Sequence, residues 1–189
     1  MIRIGILGDI GSGKSYVAKK FGYPVFNADQ EVAKLYLKNR NIFKKLKKSL
    51  PKHINSFPIR KREISNAILS NKSNLNRIIK VVHFEIRNKM NIFLRKNKKS
   101  KVIILDIPLL LENRINKKKD VLIFVQANKS EIMKRLKKRA NFDYKLFNKF
   151  KKIQLPLDYK KRKSQFIIKN NFLAKTVKKE IKFILKEIL

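Results

Sequence analysis

The chain has 189 residues, enough for one domain with a sizeable core or for a core with a small subdomain. It contains no cysteine, which excludes a disulfide framework and any metal site built on thiolates. Its formal net charge is +36, from 49 lysine and arginine residues against 13 aspartate and glutamate residues, so polyanionic ligands would be attracted.

The positive charge has two interpretations. One is a nucleic-acid-binding surface, since basic patches bind phosphate backbones. The other is a compositional habit, because the charge is mostly lysine, is spread along the chain and is accompanied by many asparagine and isoleucine residues. The second is favoured, because a binding stripe would concentrate on one element.

The sequence gives no sign of membrane targeting. Its amino terminus leads directly into an apolar strand rather than into the pattern of a signal peptide, and no apolar run approaches the roughly 20 residues of a membrane helix. Together with the absence of cysteine, these features predict a cytoplasmic protein without membrane contact.

The first predicted elements surround a glycine-rich loop. A strand over 2–7 precedes the stretch Gly8 to Ser15 (GDIGSGKS), and a helix over 14–21 follows it. The stretch fits G-x-x-x-x-G-K-[ST], the P-loop, whose backbone N–H groups and following helix bind phosphate. Lys14 is predicted to reach the β- and γ-phosphates, and Ser15 to bind Mg²⁺. The alternative, a glycine-rich turn that matches by chance, is disfavoured by the flanking strand and helix.

Asp29 follows a short second strand at 23–26. It is predicted to be the N-cap of the next helix, or a general base at the carboxyl end of a parallel strand, where ligands of open α/β sheets bind. Residues 40–100 contain only helical patterns, which predicts an inserted subdomain that holds part of the acceptor. His83 and Arg87 share one helix face there, and His83 is either a structural hydrogen-bonding residue or a ligand contact.

Two more buried strands are predicted at 101–106 and 120–125, each an almost unbroken apolar run. The first ends at Asp106, a Walker-B-like position where a carboxylate holds Mg²⁺ directly or through water. Its alternative role is to end the strand or to cap the turn and short helix predicted at 107–112. A helix over 130–139 follows the second of these strands.

That helix is predicted to carry Arg135 and Arg139 on one face. A guanidinium matches the oxygens of a phosphate, so an arginine here would close over a nucleotide; the alternative is a solvated basic face. Residues 140–163 are basic and aromatic, which suits a mobile lid. A last strand at 166–168 and an amphipathic helix at 172–189 complete the chain.

The predicted fold class is α/β, a P-loop NTPase three-layer fold with a five-stranded parallel sheet, a helical substrate-binding insert and a lid. The predicted nucleotide-binding core comprises 1–39, 101–139 and 164–189, the helical subdomain 40–100, and the lid 140–163.

The order of these motifs resembles the dephospho-CoA kinase family across nearly the whole chain. The resemblance rests on the P-loop, Pro-Val-x-x-Ala-Asp ending at Asp29, Leu-Asp-Ile-Pro-Leu-Leu-Leu-Glu from Leu105 to Glu112, an Arg-x-x-x-Arg helix, Gln-x-Pro-x-x-x-Lys ending at Lys160, and Ile-x-Asn ending at Asn170. The P-loop is shared by many NTPases, whereas the Asp-Ile-Pro-Leu-Leu segment with its spaced companions is far more specific.

The resemblance implies ATP-dependent phosphorylation of the ribose 3′-hydroxyl of dephospho-CoA, giving CoA and ADP, with ATP and Mg²⁺ as cofactors. It implies catalytic roles for Lys14, Arg139 and Asp29, the last as base or orienting group. The implied ATP-phosphate site is Gly11, Ser12, Gly13, Lys14, Ser15 and Tyr16. The implied substrate residues are Asp29, His83 and Arg87, the metal residues are Ser15 and Asp106, and Gln154, Lys160 and Asn170 match the lid and the final strand.

Several positions depart from the family pattern. Asp9 and Asn27 stand where glycine and aspartate are usual, Tyr16 replaces threonine, Phe84 replaces proline, and Ser164-Gln165 replaces Ala-Asp. None removes a residue with an implied catalytic role, so we expect an active enzyme, as a monomer or weak oligomer. Two alternative functions remain open at this point: another small-molecule or nucleoside monophosphate kinase, and a basic nucleic-acid-binding P-loop protein.

Overall fold

The structure, a computed structural model, describes residues 1–140 and 142–189. It divides into two compact units. We call residues 1–27, 97–142 and 150–189 the sheet unit, and residues 28–96 and 143–149 the helical unit. The bounds predicted for the core, the helical subdomain and the lid stay predictions.

All five strands of the sheet unit are parallel and lie in the order β2-β3-β1-β4-β5, which confirms the predicted fold class. Each strand is a short apolar run, as expected for parallel strands covered on both faces. The bounds are β1 Ile2–Gly8, β2 Val25–Asn27, β3 Val102–Asp106, β4 Val121–Gln126 and β5 Phe166–Lys169.

The strand order gives this sheet a switch point at β1. The neighbours of β1 are β3 on one side and β4 on the other. The connections on the two sides of β1 therefore run in opposite directions away from its carboxyl end. Ligands of open α/β sheets bind at such a point. The predicted P-loop begins there, directly after β1.

Helices separate the strands along the chain except between β3 and β4, and the longest run of helices lies between β2 and β3. This run contains no strand, as predicted for 40–100. The helices are α1 Lys14–Lys20, α2 Ala28–Lys38, α3 Arg40–Ser49, α4 Lys61–Ser70, α5 Lys72–Lys96, α6 Lys129–Lys137, α7 Tyr144–Lys152, α8 Leu157–Arg162 and α9 Ala174–Ile188. Within the part of the chain that is described, none of them combines the length and apolarity that crossing a bilayer requires.

The main core of the sheet unit lies between the sheet and the helix pair α1 and α9. Alternate strand residues point to these two helices, because side chains alternate faces along a strand. The buried side chains are Ile4 and Ile6 of β1, Ile104 of β3, Ile123 and Val125 of β4, Ile168 of β5, Val17, Ala18 and Phe21 of α1, and Val177, Ile181 and Ile184 of α9. This packing fixes α1 against the sheet and so fixes the loop between β1 and α1.

The helical unit is organised around α5, which contacts α2, α3 and α4. Its apolar residues recur at helical spacing, so one stripe faces the other helices. The first part of α7 belongs to this unit, where Lys149 Nζ donates hydrogen bonds to the carbonyls of Ile68 and Leu69 in the last turn of α4. A lysine in this position satisfies carbonyls that have no partner within their own helix.

Three local predictions were wrong. Helix α2 begins at Ala28 because β2 continues into it without a loop, so Asp29 lies in its first turn and is not the N-cap. Helix α6 ends at Lys137, and the N–H of Arg139 donates to the carbonyl of Leu136 in a tighter turn, so Arg139 does not share a helix face with Arg135. Residues 108–114 form a run of turns rather than a short helix.

Candidate nucleotide-binding site

The loop between β1 and α1 has the geometry of a phosphate-binding loop. Gly8, Gly11 and Gly13 have φ of +143°, +84° and +91°, which are unfavourable for a residue that carries a Cβ atom. Gly13 is the N-cap of α1, and no side chain caps this helix. The first turn of α1 therefore begins directly at the loop, in the place where the N-terminus of a helix binds an anion.

Two side chains of the loop are arranged to meet a ligand. Lys14 Nζ donates to the carbonyls of Gly8 and Asp9, at 3.2 and 2.7 Å, so its cation is held over the loop. Ser12 is fully buried, and its Oγ has no hydrogen-bond partner among the described residues. A buried hydroxyl without a partner costs about 1–3 kcal/mol, so a phosphate oxygen as acceptor fits this position.

Asn170 connects the end of β5 to this loop. Its Nδ2 donates to the carbonyl of Ser12 at 2.8 Å, and its Oδ1 accepts from the N–H of Phe172 at 2.9 Å. Asn170 itself is 3% exposed. One buried side-chain amide thus holds both the loop and the backbone of Phe172. In the sequence, only the family resemblance indicated Asn170.

Phe172 is a site residue that sequence reasoning missed. Its φ is +63°, which is uncommon for an aromatic residue, and strain of this kind clusters at functional sites. The guanidinium carbon of Arg135 lies 4.2 Å from the centre of its ring, within cation–π distance. Asn170-Asn171 signalled a turn here, but the positive φ falls on Phe172 instead of on an asparagine.

The Arg135–Phe172 pair borders the P-loop. A Cβ placed on Gly13 would lie 3.6 Å from Cε1 of Phe172, and one on Gly11 would lie 3.0 Å from Cγ2 of Ile132 on α6. The loop therefore touches both the turn after β5 and helix α6. Arg139, by contrast, is exposed beyond the end of α6.

The predicted magnesium residues both stand at the carboxyl edge of the sheet. Asp106 ends β3, is 3% exposed and accepts a hydrogen bond from Nδ2 of Asn27, its register partner on β2. Ser15 is exposed in the first turn of α1. No cluster of three or more His, Asp or Glu occurs among the described residues. One carboxylate with one hydroxyl fits Mg²⁺ held largely by nucleotide phosphates.

The same contact explains one departure from the family pattern. Asn27 stands where the resemblance leads one to expect aspartate, and its amide donates to Asp106. A carboxylate at this position would place a second negative charge against Asp106 instead of a donor. Asparagine therefore suits the local charge arrangement of this chain.

The remaining predicted residues belong to the helical unit. His83 and Arg87 do lie on one face of α5, and burial first, then the positive charge of Arg87, lowers the pKa of His83 from its ordinary 6.5. Nε2 of His83 is buried with no partner among the described residues. Asp29 is exposed in the first turn of α2. The substrate and catalytic roles of these residues stay predictions.

Known proteins match the chain over nearly its whole length. The model of the dephospho-CoA kinase family matches residues 2–175. The dephospho-CoA kinase of Wolbachia sp. subsp. Brugia malayi is 34% identical, covering 98% of this chain and 97% of that protein. That of Rickettsia conorii is 31% identical, with coverage of 100% and 98%.

Solved structures agree on the fold. TT1252 from Thermus thermophilus superposes with a TM-score of 0.78 at 25% identity, covering 100% of this chain and 98% of its own. The dephospho-CoA kinase from Campylobacter jejuni superposes with a TM-score of 0.63 at 20% identity, covering 98% and 96%. With a family model over 2–175 and a full-length relative at 34% identity, the chain belongs to the dephospho-CoA kinase family.

Proposed function

We propose that this kinase transfers the γ-phosphoryl group of ATP to the 3′-hydroxyl of the ribose of dephospho-CoA, with the P-loop as its phosphate site. The protein phosphorylates dephospho-CoA with ATP, as its family does. The observation that carries the residue assignment is the P-loop itself, with three glycines at positive φ, a glycine as the N-cap of α1, and Ser12 Oγ buried without a hydrogen-bond partner among the described residues.

The P-loop residues would bind and neutralise the nucleotide phosphates. Backbone N–H groups from Gly11 to Tyr16 would hold the β-phosphate at the start of α1. Lys14 would exchange its two carbonyl acceptors for β- and γ-oxygens. Ser15 and Asp106 would hold Mg²⁺, which when bound neutralises charge on the β- and γ-phosphates.

The acceptor side would use residues of the helical unit. The oxygen of the 3′-hydroxyl attacks the γ-phosphorus, the bond from that phosphorus to the β–γ bridging oxygen breaks, and the hydroxyl proton leaves. Asp29 would orient this hydroxyl or take its proton. His83, neutral above its lowered pKa, and Arg87 would bind the acceptor.

The predicted lid, residues 140–163, would complete the site on closing. Arg139, exposed at its amino-terminal edge, would then approach the transferring phosphoryl group and stabilise its charge. Closure would also exclude water, which competes with the 3′-hydroxyl as acceptor. We place the enzyme in the cytoplasm as a monomer or weak oligomer.

Replacement of Asp29 by asparagine tests the acceptor chemistry. We expect kcat for CoA formation to fall about 10²–10⁴-fold, because the amide cannot take the proton, while the KM for ATP changes little. Mass spectrometry and ³¹P NMR of the product would establish phosphorylation at the 3′ position. An unchanged kcat would remove Asp29 from the mechanism, and a product phosphorylated elsewhere would contradict the assigned acceptor hydroxyl.

A further inference from the structure

Among the residues that the structure describes, Lys160 stands out as a charged side chain that is fully buried. It is 1% exposed, and its Nζ lies 2.7 Å from Oε1 of Glu112 and 3.0 Å from Oε1 of Gln154. The same oxygen of Glu112 accepts a hydrogen bond from the N–H of Leu155 at 2.9 Å. These four residues form a polar cluster within the sheet unit, in which Lys160 is buried and the other three are half-buried.

Glu112 lies in the turns that follow Asp106, and the backbone on both sides of it is hydrogen-bonded. The N–H of Ile115 donates to the carbonyl of Leu110 at 3.0 Å, and the N–H of Arg114 donates to the carbonyl of Leu111 at 3.1 Å. Arg114 has φ of +50°, and Leu110 and Ile115 are buried. This is the bonding pattern of a Schellman motif, with arginine in the position that glycine usually takes.

Lys160 is held equally firmly on α8. Its N–H donates to the carbonyl of Pro156 at 3.1 Å, and its carbonyl accepts from Oγ of Ser164 at 2.9 Å. Helix α8 contacts β1, the central strand. The cluster therefore ties residues 153–156, which join α7 to α8, to a fixed turn beside the sheet.

Stability alone does not explain this ion pair. Removing two charges from water costs free energy that their attraction often fails to recover, so well-packed apolar residues of similar volume are frequently as stabilising or more so. The other oxygen of Glu112, Oε2, is buried without a partner among the described residues, which adds a desolvation cost. A pair that is costly but geometrically specific is suited to fixing the position of a segment.

We propose that Glu112 and Lys160 are positioning residues that anchor the carboxyl-terminal part of the lid, and that this anchor directs the γ-phosphoryl group to dephospho-CoA rather than to water. The inference rests on the proposed function, because it assigns the anchor to the lid of that reaction. With the anchor in place, residues 153–156 have one position, and the closed lid therefore also has one position. Without it, closure is imprecise and water reaches the phosphoryl group.

The decisive variant is the double replacement Glu112→Leu with Lys160→Met, which removes both charges and leaves neither unpaired. Lys161→Met is the matched control, since Lys161 is an exposed lysine on the same helix. We would measure ADP release from Mg-ATP without acceptor, CoA formation with dephospho-CoA, the KM for ATP, and the urea midpoint.

For the double variant we expect the ratio of ATP hydrolysis to CoA formation to rise about tenfold or more, because small displacements of closing segments have effects of this size. The KM for ATP should stay within about twofold and the urea midpoint should not fall, whereas a merely structural pair would change stability alone. Lys161→Met should match the parent in all four measurements. A folded double variant with the parental ratio overturns the anchor.

A second variant decides the matter if the double variant folds poorly. Glu112→Gln combined with Lys160→Met removes both charges, and the side-chain amide at position 112 keeps an acceptor for the N–H of Leu155. Hydrogen exchange at the amides of Ile153, Gln154 and Leu155, together with the hydrolysis ratio, would be compared with those of Lys161→Met. Faster exchange with a raised ratio supports the anchor, and parental values of both overturn it. If the parent itself shows no ADP release that depends on dephospho-CoA, the proposed function fails, which is distinct from a failure of the anchor alone.

Discussion

Replacement of Gly13 by alanine tests the P-loop geometry most sharply. Gly13 has φ of +91°, and a Cβ on it would lie 2.3 Å from Nδ2 of Asn170, far inside contact distance. Holding alanine in this backbone region costs roughly 1–2 kcal/mol. Displacing Asn170 would also break its buried hydrogen bond to the carbonyl of Ser12, which adds about 1–3 kcal/mol.

The expected loss of unfolding free energy is therefore about 2–5 kcal/mol, or a Tm lower by roughly 4–20 °C for a chain of this size. Urea titration and thermal unfolding would measure it. Gly22→Ala is the matched control, because Gly22 has φ of +74° but no atom within 4 Å of its Cβ position. It should show only the backbone cost of roughly 1–2 kcal/mol.

A double-mutant cycle separates the steric contribution. Asn170→Ala removes both the hydrogen bond and the group that Gly13→Ala would strike, so the combined variant should be about 1–3 kcal/mol more stable than the sum of the single effects predicts. Additive effects would show that Asn170 does not restrict this position. A Gly13→Ala variant no less stable than Gly22→Ala would refute the reasoning.

Three further predictions concern charges outside the P-loop. Arg3→Met should lower the unfolding free energy by about 3–5 kcal/mol in urea titration, because it leaves Asp120, 2.9 Å from Arg3 and buried, without its cation; a loss below about 1 kcal/mol would contradict this. Partial desolvation raises the pKa of Glu63, but hydrogen bonds from Ser56 and nearby backbone outweigh it and lower that pKa from 4.5 to about 2. The stabilisation from Glu63 is thus present above pH 4.5 and lost as the pH falls towards 2. Over this pH range the urea midpoint of Glu63→Gln should fall less than that of the parent protein. His83 should titrate below 6.5 in NMR spectra and shift upward in Arg87→Met, and a midpoint unmoved by this change would exclude the charge effect.

The sheet and the P-loop could be predicted because their determinants are local. The parallel strands are apolar runs buried on both faces, and the P-loop motif carries its glycines and lysine within one short stretch. Asp106 was predicted for the same reason, as the polar residue that ends such a run. The structure places it at the end of β3, as expected.

The long-range contacts could not be predicted from local patterns. The Gln-x-Pro-x-x-x-Lys motif singled out Lys160 by resemblance, but no local pattern indicates that it is buried, because its burial depends on Glu112, which lies in a distant turn. Phe172 takes its positive φ because Asn170 uses its side chain to hold both Ser12 and the Phe172 N–H. The position of Arg139 depended on where α6 ends, and helix ends are the least certain part of a periodic pattern.

The most direct test of the proposed reaction is ADP release from Mg-ATP with and without dephospho-CoA, with Lys14→Ala as the control. We expect strong stimulation by dephospho-CoA that disappears in Lys14→Ala, because Lys14 is the cation held over the phosphate loop. Lack of stimulation in the folded parent protein, or equal stimulation in Lys14→Ala, would contradict phosphoryl transfer to dephospho-CoA at this P-loop.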